Sequence, residues 1–175
     1  MSKKVAVIAP NPVNGMGLFS YLEAFFENEI EYKTFAIAES SVIKTNSGLS
    51  LTLDDTINHL KGHEQHYDAL VFACGDAIKT LADNIGKSYW QDAFDVIKTF
   101  GEQGKLLIGH CAGGFIFDKS GVTKGKKVAA HPIAQKGIVN GNPVNEEFVI
   151  DGNLYTARTE NTLHLLIPEL LKMLK

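Results

Sequence analysis

This sequence of 175 residues has few cysteines, no excess of basic residues and no long apolar run. Its two cysteines, Cys74 and Cys111, are too few for a disulfide framework, which indicates a reducing compartment. The 17 basic residues are outnumbered by 20 acidic ones, so the chain lacks the charge footprint of a nucleic-acid-binding protein. No apolar run approaches the roughly 20 residues of a membrane span, and the run after MSKK is too short for a signal sequence. We therefore expect a soluble cytoplasmic protein with no nucleic-acid or membrane partner.

Short apolar runs alternate with helical patterns along the whole chain. Nearly continuous apolar stretches, typical of parallel strands buried on both faces, occupy residues 5–10, 32–38, 68–74 and 105–108. Asp54 and Asp55 can cap a helix that runs to about residue 65, and apolar residues at helical spacing predict helices at about 18–26, 88–102 and 160–175. In the first of them Phe26 belongs to the predicted buried stripe, and in the last Pro168 predicts a kink or a split. The alternation predicts one domain over residues 1–175, a three-layer α/β sandwich around a mostly parallel sheet.

Shorter strands are predicted at the edges of this sheet. The Ser/Thr-rich segment 40–53 has the short alternating pieces of a hairpin, and residues 126–130 form another short strand. Residues 148–150 and 154–157 flank an Asp-Gly pair, which is a strong hairpin signal.

The stretch KLLIGHCAGGFIFDKS, residues 105–120, carries the clearest chemical signal. Its G-x-C-x-G spacing matches a nucleophile elbow, in which a sharp turn between a strand and a helix presents the middle residue, here Cys111. Glycines flank such a turn because larger side chains would clash. The helix N-terminus that follows favours thiolate over thiol. The alternative is a buried free cysteine that packs as a small hydrophobic residue.

Several segments should meet this elbow, because ligands of open α/β sheets bind beyond the carboxyl ends of the strands. His131, which follows a short strand and precedes Pro132, is the candidate base, although it can equally be a histidine with a purely structural partner. The backbone N–H groups of Gly75 and Ala112 are candidates for an oxyanion hole, since each begins a turn after a buried strand. Cys74 is expected to end inside its strand and to pack there.

Three segments together resemble the ThiJ/PfpI proteins of the class I glutamine amidotransferase-like superfamily. They are YDALVFACGD, KLLIGHCAGGFIFDKSGVTKGKKVAAHP and VIDGNLYTARTENTLHLL. The last two contain, in order, the elbow cysteine, a G-[LV]-x-x-G-[KR] segment, a His-Pro pair, an Asp-Gly hairpin and an arginine before the final helix. This ordered set is far more specific than any single motif.

The resemblance implies a flavodoxin-like sandwich, no cofactor, and a homodimer or larger homo-oligomer. It places Cys111 at the family's reactive-cysteine position and His131 at the histidine beside it. Gly75 falls on the oxyanion-hole glycine, and Arg158 on the arginine at the pocket rim. The implied activity is that of a cysteine hydrolase, resembling an intracellular protease or amidase, or of a glyoxalase-like lyase.

The sequence departs from the family pattern at two places. Protease-like members have a histidine directly after the cysteine, where this chain has Ala112, as in the parkinsonism-associated branch. That branch and the isonitrile hydratases also present an acid from the first loop. Here loop 11–17 contains no Asp or Glu, and Asn14 or Gly17 occupies that region. An acid must then come from Asp76, Glu160 or a partner subunit, so the predicted pocket also includes Asn14, Asp76 and His110, with His110 expected to point away from Cys111.

Two further patterns favour ordinary structure over function. His59, His63 and His66 can share one helix face, but their polar neighbours indicate a solvated helix end and no metal site. The glycines of loop 11–17 lack the spacing of a nucleotide-binding loop. The sequence thus predicts a cysteine-dependent hydrolase or lyase for a small carbonyl, amide or isonitrile substrate. The alternative is a non-catalytic redox-sensing or stress-response protein with a reactive cysteine.

Overall fold

The computed structural model describes residues 3–175 of the chain. In chain order its strands are β1 (Lys4–Pro10), β2 (Glu31–Ile37), β3 (Val42–Lys44), β4 (Ser50–Thr52), β5 (Asp55–Thr56), β6 (Ala69–Phe72), β7 (Leu106–His110), β8 (Lys127–Ala129), β9 (Asn142–Val144), β10 (Phe148–Asp151) and β11 (Leu154–Ala157). Its α-helices are α1 (Gly15–Glu27), α2 (Ile57–Leu60), α3 (Ala77–Asp83), α4 (Ser88–Glu102), α5 (Gly113–Lys119), α6 (Pro132–Gln135) and α7 (Leu163–Leu174). None of these helices combines the length and apolarity needed to cross a bilayer.

A seven-stranded sheet in the order β10-β11-β7-β6-β1-β2-β5 forms the middle layer. Its pairs are parallel except β10 with β11, which form the predicted Asp-Gly hairpin. The alternating side chains of β1 go to opposite faces: Ala6 and Ile8 join one apolar cluster, and Val5 and Val7 join the other. The prediction of a three-layer α/β sandwich with a mostly parallel, flavodoxin-like sheet is confirmed.

The outer layers cover the two faces with different helices. Apolar side chains of α4 and α5 pack on one face, whereas those of α1 and α7 pack on the other. Helix α4 has the predicted bounds, and its buried residues follow helical spacing: Trp90, Ala93, Val96, Ile97 and Phe100. In α1 the buried stripe is Leu18, Tyr21 and Phe25, so the prediction that Phe26 is buried is wrong, and that residue is 74% exposed.

The predicted helix at 54–65 is largely wrong. The Asp54 carboxylate accepts hydrogen bonds from the backbone N–H and hydroxyl of Thr34, at 2.8 and 2.7 Å, and is therefore held at the sheet edge. The following β5 pairs with β2, which leaves only the four-residue α2 and a 3₁₀ turn at Glu64–His66. Helices α3 and α6 and strand β9 have no counterpart among the elements expected from the sequence. The last helix begins with a 3₁₀ turn at Glu160–Thr162, and α7 then continues through Pro168.

Candidate active site

The turn between β7 and α5 places Cys111 at the carboxyl end of the sheet. Its φ of 55° is in the left-handed region, which non-glycine residues seldom occupy. Two hydrogen bonds hold this conformation, from the Cys111 N–H to the carbonyl of Ala157 at 3.2 Å and from the His131 N–H to the carbonyl of Cys111 at 3.0 Å. The elbow is thus tied on one side to the neighbouring strand β11 and on the other to His131.

Close packing explains two of the three glycines around the elbow. A Cβ on Gly109 would lie 2.8 Å from the ring of Phe117, and one on Gly114 would lie 2.6 Å from Val128. A Cβ on Gly113 would come no nearer than 3.5 Å to a neighbouring atom, which is ordinary contact. A side chain was expected to clash at both motif glycines. It would clash at Gly109 but not at Gly113, and it would also clash at the next residue, Gly114.

Cys74 lies beside the elbow and not within a strand. Strand β6 ends at Phe72, and the Cys74 sulfur accepts a hydrogen bond from the N–H of Ala112 at 3.3 Å. Cys74 is buried in the core as expected, but the expectation that it lies inside the strand is wrong, because the chain leaves the sheet two residues earlier. One of the two amides predicted for the oxyanion hole, that of Ala112, therefore has a protein sulfur as its partner.

The two thiols of this site have opposite acidities. The neighbouring Cys74 thiol lowers the pKa of Cys111, against burial and the negative charge of Glu160, which both raise it. The same interaction and burial raise the pKa of Cys74 well above its ordinary value, and its thiol donates to the Gly75 carbonyl at 3.2 Å. Cys111 is therefore the more acidic thiol of the pair.

A polar cavity of about 370 Å³ opens on one side of Cys111. Its lining is Pro12, Asn14, Asn46, Cys74, Gly75, Asp76, Cys111 and Glu160. Asn14 caps helix α1, because its side-chain oxygen accepts from the Gly17 N–H at 2.7 Å. This bond turns the amide nitrogen of Asn14 toward Glu160, 3.4 Å from the carboxylate oxygen. The carboxylate missing from the first loop thus reaches the cavity from the turn that precedes α7.

A second cavity, of about 340 Å³, lies on the other side of Cys111 and is mostly apolar. It is lined by Gly75, Asp76, Ala77, Ile78, Lys79, Ala82, Cys111, Ala112, His131, Ile133 and Ala134. Nδ1 of His131 accepts a hydrogen bond from the Ile133 N–H at 3.2 Å, so the neutral ring carries its proton on Nε2. The cavities share Gly75, Asp76 and Cys111, which lie where the two meet.

Two residues assigned to the pocket from the sequence lie outside both cavities. His110 is fully buried on the opposite face of the sheet, where its Nδ1 is 3.3 Å from the Tyr21 hydroxyl and its Nε2 has no hydrogen-bond partner among the described residues. Arg158 binds the side chain of Asn145 at 3.2 Å. The chain therefore brings together Asn14, Gly75, Asp76, Cys111, Ala112 and His131, together with Glu160.

Sequence reasoning missed several residues of the two cavities, three of which are Asn46, Ile78 and Ile133. The first is Asn46, which is held in place by a hydrogen bond from its N–H to the carbonyl of Val13 at 2.9 Å. Ile78 and Ile133 are the others, and they line the apolar cavity although they are 37% and 67% exposed. Each isoleucine follows a site residue closely in the sequence, which is the one signal that could have indicated it. That signal identifies a cavity wall only when the loops that meet there are known.

The histidine group at 59–66 does not converge. Nδ1 of His59 pairs with the Asp55 carboxylate at 2.5 Å, whereas the ring of His63 stacks on that of His66 with centroids 5.6 Å apart. Within residues 3–175 no three His, Cys, Asp or Glu side chains are arranged to hold a metal ion.

We expect the buried His110 to make the protein less stable in mild acid. Burial lowers its folded-state pKa from 6.5 to about 3, so the unfolded chain binds the proton more tightly. The resulting stability is complete above the unfolded pKa and is lost as the pH falls below it. Between about pH 6.5 and pH 5.5 the free energy of unfolding should fall by about 1 kcal/mol from this residue.

Urea unfolding at both pH values tests this expectation. In His110→Asn the amide can still bind the Tyr21 hydroxyl but cannot titrate, so its pH slope should be shallower than that of the wild type. The exposed His164→Gln serves as the control and should keep the wild-type slope. If the free energy of unfolding changes equally with pH in the wild type and in His110→Asn, the acid sensitivity does not come from His110.

Comparison with known proteins agrees with this architecture. The chain matches the model of the DJ-1/PfpI family over residues 3–173. It is 56% identical over 175 residues to protein ppBat of Bacteroides thetaiotaomicron, covering 100% of both chains. A crystal structure from the same organism, of a protein provisionally described as protease I, has a TM-score of 0.97 at 56% identity, with 99% of this chain and 100% of that one covered.

More distant structures share the fold. Drosophila melanogaster DJ-1beta has a TM-score of 0.85 at 20% identity, with 99% of this chain and 91% of that chain covered. The family match extends over both halves of the site, from the first loop with Asn14 to the last helix after Glu160. The chain therefore belongs to the DJ-1/PfpI family.

Proposed function

We propose that the protein is a cysteine-dependent hydrolase or lyase that acts on a small carbonyl, amide or isonitrile substrate. The observation that carries this proposal is the position of Cys111, a thiol of lowered pKa between a polar cavity with Glu160 and an apolar cavity with His131. The cavity volumes, about 370 and 340 Å³, suit a small molecule. The family's protease-named relative supports hydrolysis as the reaction class.

The proposed reaction starts with attack of the Cys111 thiolate on the electrophilic carbon of the substrate. The amide N–H groups of Gly75 and Ala112 would stabilise the oxyanion, the latter after the Cys74 sulfur turns away from it. His131 carries a proton on Nε2 and can donate it to a leaving group. Glu160 is the group that can accept a proton from the water that releases the product. The apolar substituent of the substrate would lie against Ile78 and Ile133.

Glu160→Gln separates the role of Glu160 as a proton acceptor from its effect on the Cys111 thiol, since it should change thiol reactivity and turnover in opposite directions. The negative charge of Glu160 raises the pKa of Cys111, so its removal should lower that pKa further and speed alkylation by iodoacetamide at neutral pH. Turnover should instead fall by about 10²-fold or more, because the proton acceptor is lost.

The measurement is the rate of Cys111 alkylation against pH, together with turnover of methylglyoxal, alanine p-nitroanilide and an alkyl isocyanide. The matched control is Glu169→Gln, which makes the same change at a partly exposed residue of α7 bound to Lys172. Cys111→Ala should remove any activity found. If the alkylation rate of wild-type Cys111 reaches half its maximum at a pH of about 8.5 or above, the ordinary thiol value, the proposed role of Cys111 as nucleophile is contradicted.

A second candidate function is a redox sensor. The lowered pKa of Cys111 beside the buried Cys74, whose pKa is raised, favours it, together with the absence of an acid from loop 11–17. Hydrogen peroxide should then oxidise Cys111 before any other side chain, and none of the substrates above should be turned over. Mass analysis after mild peroxide treatment distinguishes the two functions.

We also propose a single-domain protein that forms a homodimer in the cytoplasm. Helix α1 supports self-association, because Met16, Phe19 and Phe26 on its outer side are 57%, 40% and 74% exposed. The low cysteine content supports a reducing compartment.

A further inference from the structure

The only two cysteines of the chain lie at one site, although 37 positions separate them in the sequence (111 − 74). We propose that Cys74 is a resolving thiol: once Cys111 is oxidised by a hydroperoxide, Cys74 condenses with it to form an intramolecular disulfide. This inference rests on the reactive Cys111 of the proposed function and adds a reversible oxidation product that protects that residue.

The register of the sheet places the two residues side by side. Strands β6 and β7 are parallel, and Phe72 pairs with Gly109 in their last described pair. Two residues further along each chain lie Cys74 and Cys111. Neighbouring strands are about 4.8 Å apart at that last pair, so the two chains leave the sheet at adjacent points, within the range from which a disulfide can form.

The side chain of Cys74 points toward the elbow that carries Cys111. The Cys74 sulfur accepts the N–H of Ala112, the residue next to Cys111, at 3.3 Å. Both cysteines line the polar cavity, so an oxidant that reaches Cys111 there has Cys74 at its edge. Cys111 also packs against the apolar cluster that contains Cys74, so the two side chains occupy the same part of the fold.

The two cysteines also differ as a peroxidatic and a resolving residue must. Cys111 is partly exposed, and its pKa is lowered, so it is the one that meets a hydroperoxide as thiolate. Cys74 is buried and its pKa is raised, which protects it from direct oxidation. Its neutral thiol reacts only with a partner already in contact.

The chemistry proceeds in two balanced steps. The Cys111 thiolate attacks the outer oxygen of a hydroperoxide, the O–O bond breaks, and Cys111 sulfenic acid and an alkoxide or hydroxide result. The Cys74 sulfur then attacks the Cys111 sulfur, the S–O bond breaks, and the departing hydroxide leaves as water with the proton of the Cys74 thiol. An external dithiol restores both thiols by exchange and is itself oxidised to a disulfide.

The test is intact-mass analysis of the whole protein after a few equivalents of hydrogen peroxide and denaturation in N-ethylmaleimide. The wild type should become about 2 Da lighter, take up no maleimide and regain two free thiols with dithiothreitol. Cys74→Ala should instead become about 32 Da heavier through a sulfinic acid at Cys111 that dithiothreitol does not reverse. In Cys111→Ser, Cys74 should remain reduced.

Two further measurements keep the outcome decisive. Cys74→Ser retains the size of the side chain, so agreement between it and Cys74→Ala shows that the change is due to the lost thiol and not to a cavity. Iodoacetamide labelling of the reduced proteins reports the reactivity of Cys111 separately, so failure of the nucleophile is distinguishable from failure of the disulfide. Wild type that forms sulfinic acid as fast as Cys74→Ala, with Cys74 still open to maleimide, would overturn the proposal, as would no oxidation of Cys111.

Discussion

Replacing Gly75 with alanine is expected to lower the free energy of unfolding by about 3 kcal/mol or more. The new Cβ would lie 2.2 Å from the carbonyl oxygen of Pro12 and 2.8 Å from the Cα of Val13. Both neighbours are backbone atoms, so relief requires the first loop to move as a unit. That movement would stretch the 2.8 Å hydrogen bond from the Asn14 N–H to the Cys74 carbonyl.

Chemical denaturation of Gly75→Ala beside Gly86→Ala measures this effect. Gly86 has open space around its Cα, so the same substitution there should be neutral or slightly stabilising. Displacement of Asn14 should also separate it from Glu160, which can be read from a changed pH dependence of Cys111 alkylation. If Gly75→Ala unfolds at the same denaturant concentration as Gly86→Ala, the close approach of the two loops is refuted.

Gly17→Ala is expected to destabilise the protein by about 2 kcal/mol, although alanine normally favours a helix over glycine. A Cβ at this position would lie 2.4 Å from Nε2 and 2.6 Å from Cε1 of His110. The imidazole cannot move aside, because it is fully buried and packs against the ring of Tyr21 with centroids 5.6 Å apart. The cost is therefore steric and specific to this pair.

Gly15→Ala provides the matched control within the same helical turn, since its Cβ would make an ordinary contact of 3.4 Å with Thr45. It should be neutral or stabilising by up to about 1 kcal/mol. In a His110→Ala background the cost of Gly17→Ala should disappear, which a double-mutant cycle in urea measures as a coupling energy of about 2 kcal/mol. A cost that is independent of residue 110 would show that the helix itself rejects alanine there.

The family interpretation and the geometry agree on Cys111 but differ on the acid. The sequence shows that loop 11–17 has no carboxylate and leaves Asp76, Glu160 and a partner subunit as candidates. In the structure Asp76 and Glu160 both line the polar cavity, and the Asn14 cap orients Glu160, since the amide whose oxygen is committed to Gly17 presents its nitrogen to that carboxylate. A cap that stabilises a helix thus also orients a charged group of the candidate site.

Gly17 has no side chain because the His110 ring fills the space where one would lie. That ring lies on the face of the sheet that α1 covers. Burial keeps this ring neutral by lowering its pKa to about 3. His110 therefore contributes packing and acid sensitivity, whereas its neighbour Cys111 faces the cavities.

Much of the fold could be predicted from local patterns. The buried strands, helix α4 with its apolar stripe, the Asp-Gly hairpin and the elbow all have signals within about ten residues, because backbone pairing and burial repeat with periods of 2 and 3.6. The prediction for segment 54–65 failed because its structure depends on a contact that is distant in the chain. The Asp54 carboxylate accepts a hydrogen bond from Thr34, 20 positions earlier, and no local pattern reveals that partner.

The amino-acid sequence by itself determined the α/β class, the mostly parallel sheet, the family and the position of the elbow cysteine. Only the tertiary structure decided that the Cys74 sulfur binds the amide of Ala112 beside Cys111, that Glu160 lines the same cavity as Cys111, and that His110 and Arg158 lie outside the cavities. The physical reason is that periodicity specifies which residues are buried, whereas contacts at the end of a sheet depend on strand register and on the paths of loops. Side chains far apart in the chain meet there, and their pKa values follow from those meetings.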